Sequence, residues 1–185
     1  MMSRLLEWGF KVPTHGMAAT VIPKAVDAYQ TDNLHFIAHM DTRANGGEGK
    51  VLLDAKSCLE KFPSVFVTHF LGNVNARKYS VYKFVKVGSK AFGFIVTGSS
   101  WKADYSRDRE ISLRCISAYD SYNDKIPYAL YSIDYVVFKG TVYAIDFNNA
   151  PHIESMGMRN ELSGREVAIE IKSAIEYYKQ KEINY

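Results

Sequence analysis

Apolar positions along the chain change period several times, and the changes mark its elements. "LHFIAHM", "KVLLD" and "SVFVTHFL" are short runs rich in β-branched and aromatic residues and read as strands. "RKYSVYKFVKV" and "KAFGFIVTG" flank Gly88-Ser89, while "YALYSIDYVVF" and "TVYAIDF" flank Lys139-Gly140. Each pair reads as a β-hairpin. Helical spacing covers residues 3–8, closed by Gly9, and "IPKAVDAYQT", with Pro23 near its start. It also covers "KSCLEKF", and "ISLRCISAYDSYN" with Ile111, Cys115, Ala118 and Tyr122 on one side. The final helix opens with a capping box, Ser163 at the N-cap and Glu166 three residues on. Its apolar face is Val167, Ile171, Ala174, Ile175 and Tyr178. "DTRANGGEG" and "WKADYSRDRE" are loops. Hairpins interleaved with helices predict an α+β fold of mostly antiparallel sheet.

Composition narrows the class. At 185 residues and 47% hydrophobic, the chain can bury a core as one domain or a pair of lobes. A net charge of +3 does not by itself indicate nucleic acid. Cys58 and Cys115 have no CxxC spacing, which argues against a zinc site or a disulfide framework. No apolar run approaches the roughly 20 residues that span a bilayer, and the start lacks a signal peptide's apolar stretch. A soluble protein of a reducing cytoplasm is expected, with no membrane partner. Arg77, Lys78, Lys83, Lys86, Lys90 and Lys102 make the middle of the chain basic. That is a solvated face or a surface that meets phosphates. Tyr79, Tyr82 and Phe84 are better core residues than a stacking platform, so nucleic acid is not the expected partner.

Two segments carry candidate chemistry. "TVYAIDFNNAPHI" begins as a strand, then places Asp146, Asn148 and Asn149 in quick succession before Pro151. Asp146 and Asn148, at i and i+2, share a face. Asp134 lies inside the preceding apolar strand, where a lone carboxylate is costly. Two carboxylates and an amide are hard oxygen ligands suited to Mg²⁺. A two-residue turn at Lys139-Gly140 would put Asp134 and Asp146 on opposite faces, so this reading requires a three-residue loop, Phe138 to Gly140. The alternative is that Asp134 pairs with a Lys or Arg and the asparagines form a turn. In "ANGGEGKV", Gly46, Gly47 and Gly49 could close backbone N–H groups around phosphate, or serve as a flexible hairpin loop.

In this order the segments resemble the ATP-grasp superfamily over most of the chain, from "LLEWGFKVPTH" to the last helix. "IDYVVFKGTVYAIDFNNAP" resembles the family's paired acidic strands, and this is the most specific match. The resemblance implies two lobes, about 14–71 covering nucleotide and 72–185 binding metal. It implies ATP and Mg²⁺ as cofactors, with Asp134, Asp146 and Asn148 on the metal. The glycine loop would cover phosphates, and main-chain groups of His69, Phe70 and Leu71 would read adenine. His39 stands where the family has a phosphate-touching Lys, with Arg43 or Lys50 as substitutes. Lys78 and Ser80 replace an acidic and a basic residue, and Asp146 replaces the usual Glu. Arg107 and Arg109 could stabilise the transferred phosphoryl group or the acceptor carboxylate.

The implied activity is a carboxylate–amine ligase working through an acyl phosphate on a small-molecule, peptide or protein carboxylate. The alternative is a degenerate member serving as a nucleotide- or protein-binding module. The family's N-terminal domain is not recognised here. The chain therefore resembles shortened, phage-type members, which would place it in a host cytoplasm. A homo-oligomer or partner chain would then replace that domain.

Overall fold

The structure is a computed structural model that describes residues 2–41, 48–103, 106–114, 126–149, 151 and 162–182. The fold is α+β, built on two antiparallel sheets. The first comprises β1 (His15–Met17), β2 (His35–His39), β3 (Lys50–Asp54) and β4 (Phe66–His69), in the order β1-β4-β2-β3. Phe36 and Ala38 alternate inward from β2 and are fully buried. They meet Ala18, Val21, Ile22 and Ala25 of α2 (Ala18–Tyr29) and Cys58 of α3 (Ala55–Lys61).

α2 starts four residues earlier than the sequence reading places it, with Pro23 inside the helix. The apolar stripe Ala18, Val21, Ile22, Ala25 has helical spacing and outweighs the breaker. No side chain caps this start. Instead Ala18 N–H donates to the Val65 carbonyl and Ala19 N–H to the Pro63 carbonyl, so two orphan donors are satisfied by a neighbouring loop. α3 has a cap that the sequence reading missed: Asp54 accepts from Ser57 N–H at 2.8 Å.

The second sheet comprises β5 (Tyr79–Val87), β6 (Lys90–Gly98), β7 (Glu110–Arg114), β8 (Leu130–Phe138) and β9 (Thr141–Asn148), in the order β7-β6-β5-β8-β9. One face carries Phe84, Tyr131, Ile133, Tyr135 and Ala144, packed against Phe10 and against Met2 and Leu5 of α1 (Met2–Glu7). The other carries Val85, Val87 and Phe94, packed against Leu162 and against Val167 and Ile171 of α4 (Gly164–Glu182). The capping box forms as expected, with Glu166 N–H donating to Ser163 Oγ and Ser163 N–H donating to Glu166 Oε2. Ile175, placed on the apolar face by its spacing, is half exposed.

One element is a correction. "ISLRC" reads as the start of a helix, but Glu110–Arg114 is an edge strand, with Ile111 opposite Val96. Polar and apolar residues alternate here, and the open edge of β6 selects the period of two. Residues 115–125 lie outside the described residues.

The β5–β6 turn is locked onto α4. Gly88 has φ +60°, and a Cβ there would lie 2.8 Å from the Glu170 carbonyl oxygen. Ser89 donates from N–H and Oγ to Glu170 Oε2, each at 2.9 Å. Gly88→Val combines a disfavoured φ with backbone overlap, and about 2–4 kcal/mol of destabilisation is expected in chemical denaturation. An unchanged midpoint would show that α4 does not depend on this turn.

Candidate functional site

The β8–β9 hairpin turns through two residues. Phe138 pairs with Thr141, and both Lys139 (φ 49°) and Gly140 (φ 73°) are left-handed, the requirement of a type I′ turn. The expected three-residue loop is therefore corrected. In an unbroken register Asp134 would face Ile145, and Asp146 would point to the other side. A β-bulge intervenes. The register shifts between Asp134 and Tyr135, so Tyr135 faces Ala144 while Asp134 faces Asp146. Ile145 is the extra residue. Asp134 and Asp146 are thus directly opposite on one face, and Asn148, opposite Ser132, shares it. Bulges of this kind re-aim side chains. Asn149 has the other parity and lines an open cleft with Ser3, Arg4, Glu7 and Phe147 on the α1 side.

The same register brings in a residue that the sequence reading left among general basic charges. Lys83 on β5 lies opposite Asp134, and its Nζ is 2.6 Å from Asp134 Oδ2. Both side chains are nearly buried, 9% and 14% exposed. The signal was present: Val81, Val85 and Val87 form an apolar series that Lys83 alone breaks. The pairing that the sequence left open for Asp134 therefore exists together with the shared face.

Asp146 Oδ1 accepts its neighbour Phe147's N–H at 3.0 Å. Among the described residues no group of three or more His, Cys, Asp or Glu is placed to hold a metal. A metal set here must count the Asn148 amide with the two carboxylates. Their oxygen chemistry fits a hard divalent cation completed by water and phosphate, with Lys83 as a competing charge.

The first sheet contributes His39 and the segment after β4. His39 Nε2 lies 3.1 Å from Thr68 Oγ1, and Lys50 stands directly across the β2–β3 pair. Burial first, and then the Lys50 charge, lower the His39 pKa to about 4, so the ring is neutral near pH 7. Lys50 thus brings a cation beside the position where His39 brings none.

The unfolded chain takes up the His39 proton near pH 6.5 and the folded chain near 4. Between these values the unfolded state binds more protons, so stability is full above the window and falls as pH drops through it. Burial lowers the His69 pKa in the same sense. His39→Gln is expected to flatten the slope of melting temperature against pH between about 6.5 and 4. An unaltered slope would contradict a buried neutral imidazole.

At the end of β4, His69 N–H donates to the Thr14 carbonyl and Phe70 N–H to the His35 carbonyl, both at 2.8 Å. Two of the three hinge N–H groups are therefore committed internally. The Phe70 ring packs edge-on or tilted against Trp101 and Tyr79. The His69 ring is buried, with Tyr29 and Phe36 around it.

Other candidates are not brought together with these. Arg107 and Arg109 are exposed, on the turn before β7. β7 lies three strands from β8, roughly 14 Å at the usual strand spacing. Lys78 pairs with Glu110 at 2.8 Å on the exposed β7 side, and Ser80 is exposed. Arg43, Gly46 and Gly47 lie outside the described residues, while Gly49 is described, with φ +66° and its carbonyl accepting from Met40 N–H. No described helix is long and apolar enough to cross a membrane.

No family model and no curated protein matches the chain. Solved structures do. The ATP-grasp ligase PsnB, complexed with a minimal precursor, Mg and ADP, matches with TM-score 0.62 and 14% identity over 94% of this chain and 57% of its own. D-alanine–D-alanine ligase from Bacillus anthracis, complexed with ATP, matches with TM-score 0.59 and 10% identity over 97% and 64%. The macrocyclase MdnC from Microcystis aeruginosa, bound to precursor peptide MdnA, matches with TM-score 0.56 and 12% identity over 95% and 59%. The chain spans less than two thirds of the length of each. At these identities the likeness is one of fold, and the fold is ATP-grasp.

Proposed function

We propose, from the ATP-grasp fold, that the protein is an ATP- and Mg²⁺-dependent ligase that activates a carboxylate as an acyl phosphate for attack by an amine or related nucleophile. The observation that carries this is the bulge at Ile145, which sets Asp134 and Asp146 opposite each other with Asn148 on the same face. A purely structural hairpin gains nothing from facing two carboxylates. These three residues would hold Mg²⁺, which would supply positive charge to the phosphates.

The chain's own groups supply the rest. With His69 and Phe70 N–H engaged, the Leu71 N–H and the hinge carbonyls would read adenine. Lys50, beside neutral His39, would meet phosphate. Arg43 and the glycines at 46, 47 and 49 would close over the nucleotide and exclude water. Arg107 and Arg109 would have to act from the β7 side, on the acceptor carboxylate or the transferred phosphoryl group. MdnC is described with a precursor peptide and PsnB with a minimal precursor, which favours a peptide carboxylate as acceptor.

The buried Lys83–Asp134 pair favours a second reading, a nucleotide- or protein-binding module without turnover, because it gives Asp134 a partner without metal. Incubation with ATP, Mg²⁺, a carboxylate-bearing peptide and hydroxylamine separates the two. The ligase reading expects acceptor-dependent ADP release with trapped hydroxamate. Nucleotide binding without either product would support the module.

A further inference from the structure

We infer that Lys83 is a tethered cation that holds the carboxylate pair when metal is absent and leaves Asp134 for phosphate oxygens when metal and nucleotide bind together. The inference rests on the proposed nucleotide site. Lys83, Asp134 and Asp146 stand abreast on β5, β8 and β9, one positive and two negative charges in a row across one face. Lys83 Nζ is 2.6 Å from Asp134 Oδ2, both side chains are nearly buried, and the buried Val85 and Phe94 adjoin Lys83 on that face.

A divalent ion arriving alone must take Asp134 from an ammonium that is already desolvated beside it. The nearly buried 2.6 Å ion pair is lost in that exchange. A metal arriving with nucleotide brings phosphate oxygens as a replacement anion for a flexible four-carbon stem to reach. Displacement then exchanges one ion pair for another. Metal and nucleotide are consequently coupled: each binds better with the other, and Lys83 is the residue through which they are linked.

The test is Mn²⁺ titration of the full chain, following free Mn²⁺ by electron paramagnetic resonance, without and with ADP. Wild-type protein is expected to bind Mn²⁺ weakly alone and at least about tenfold more tightly with ADP. Lys83→Met should bind Mn²⁺ alone at least about tenfold more tightly than wild type and lose most of the ADP coupling. Lys83→Arg, which keeps the charge, should behave as wild type. Lys83→Met also removes a buried partner, so melting temperature gives a second readout: Mn²⁺ alone should raise it more in this variant than in wild type. Coupled binding by wild type, with Lys83→Met no tighter than wild type for Mn²⁺ alone and no greater thermal shift, would overturn the role of Lys83. No Mn²⁺ binding by any variant, even with ADP, would overturn the nucleotide site and this inference with it.

Discussion

Asp134→Ala is expected to destabilise the protein by about 3–5 kcal/mol, the usual result of removing one partner from a buried ion pair. The Lys83 ammonium that remains is almost fully enclosed, beside the buried Val85 and Phe94 on that face. The substitution removes the carboxylate that lies 2.6 Å from that enclosed charge. Urea denaturation of the variant measures the loss. A loss below about 1 kcal/mol would mean that the pair behaves as a solvated surface contact.

Asp146→Asn, one strand away, is expected to do the opposite. The amide keeps the acceptor for Phe147 N–H and much the same shape, while one negative charge next to Asp134 disappears. Melting temperature should hold or rise, because two facing carboxylates repel in the metal-free state. ATP turnover should be abolished and binding of the Mg²⁺–nucleotide weakened, since the lost charge is one that the cation needs. A destabilised variant with unaltered nucleotide binding would make Asp146 a turn residue and remove most of the case for an ATP-dependent enzyme.

The two carboxylates show how far the sequence could be read. Alternation in "YSIDYVVF" and "TVYAIDF" marks both strands, and the cost of an Asp in an apolar strand marks the site. The way in which they meet was not legible. Loop length is the means of setting register that the sequence offers, whereas the hairpin keeps the favoured two-residue turn and shifts register through Ile145. A bulge leaves no strong local signature, because an extra Ile fits a strand as well as any other residue.

Lys83 is hard to single out in the sequence for a related reason. In a segment with many cations it reads as solvated charge, and only its parity with Val81, Val85 and Val87 sets it apart. The remaining differences come from tertiary competition. α2 begins at Ala18 because loop carbonyls at Pro63 and Val65 satisfy its first N–H groups, a contact distant in sequence. Glu110–Arg114 becomes a strand because β6 offers an open edge. Elements whose determinants are local were read correctly: the Gly88-Ser89 turn, the capping box of α4 and the short helix after β3.

The face carrying Asp134, Asp146 and Asn148 is proposed to bind a nucleotide through a divalent cation. Calorimetric titration of the full chain with a non-hydrolysable ATP analogue tests it most directly, with Mg²⁺ and again with chelator in its place. Saturable binding is expected with Mg²⁺, weakening by at least about tenfold without it, a coupling of about 1.4 kcal/mol or more. Binding of equal strength in both conditions, or none in either, would contradict it.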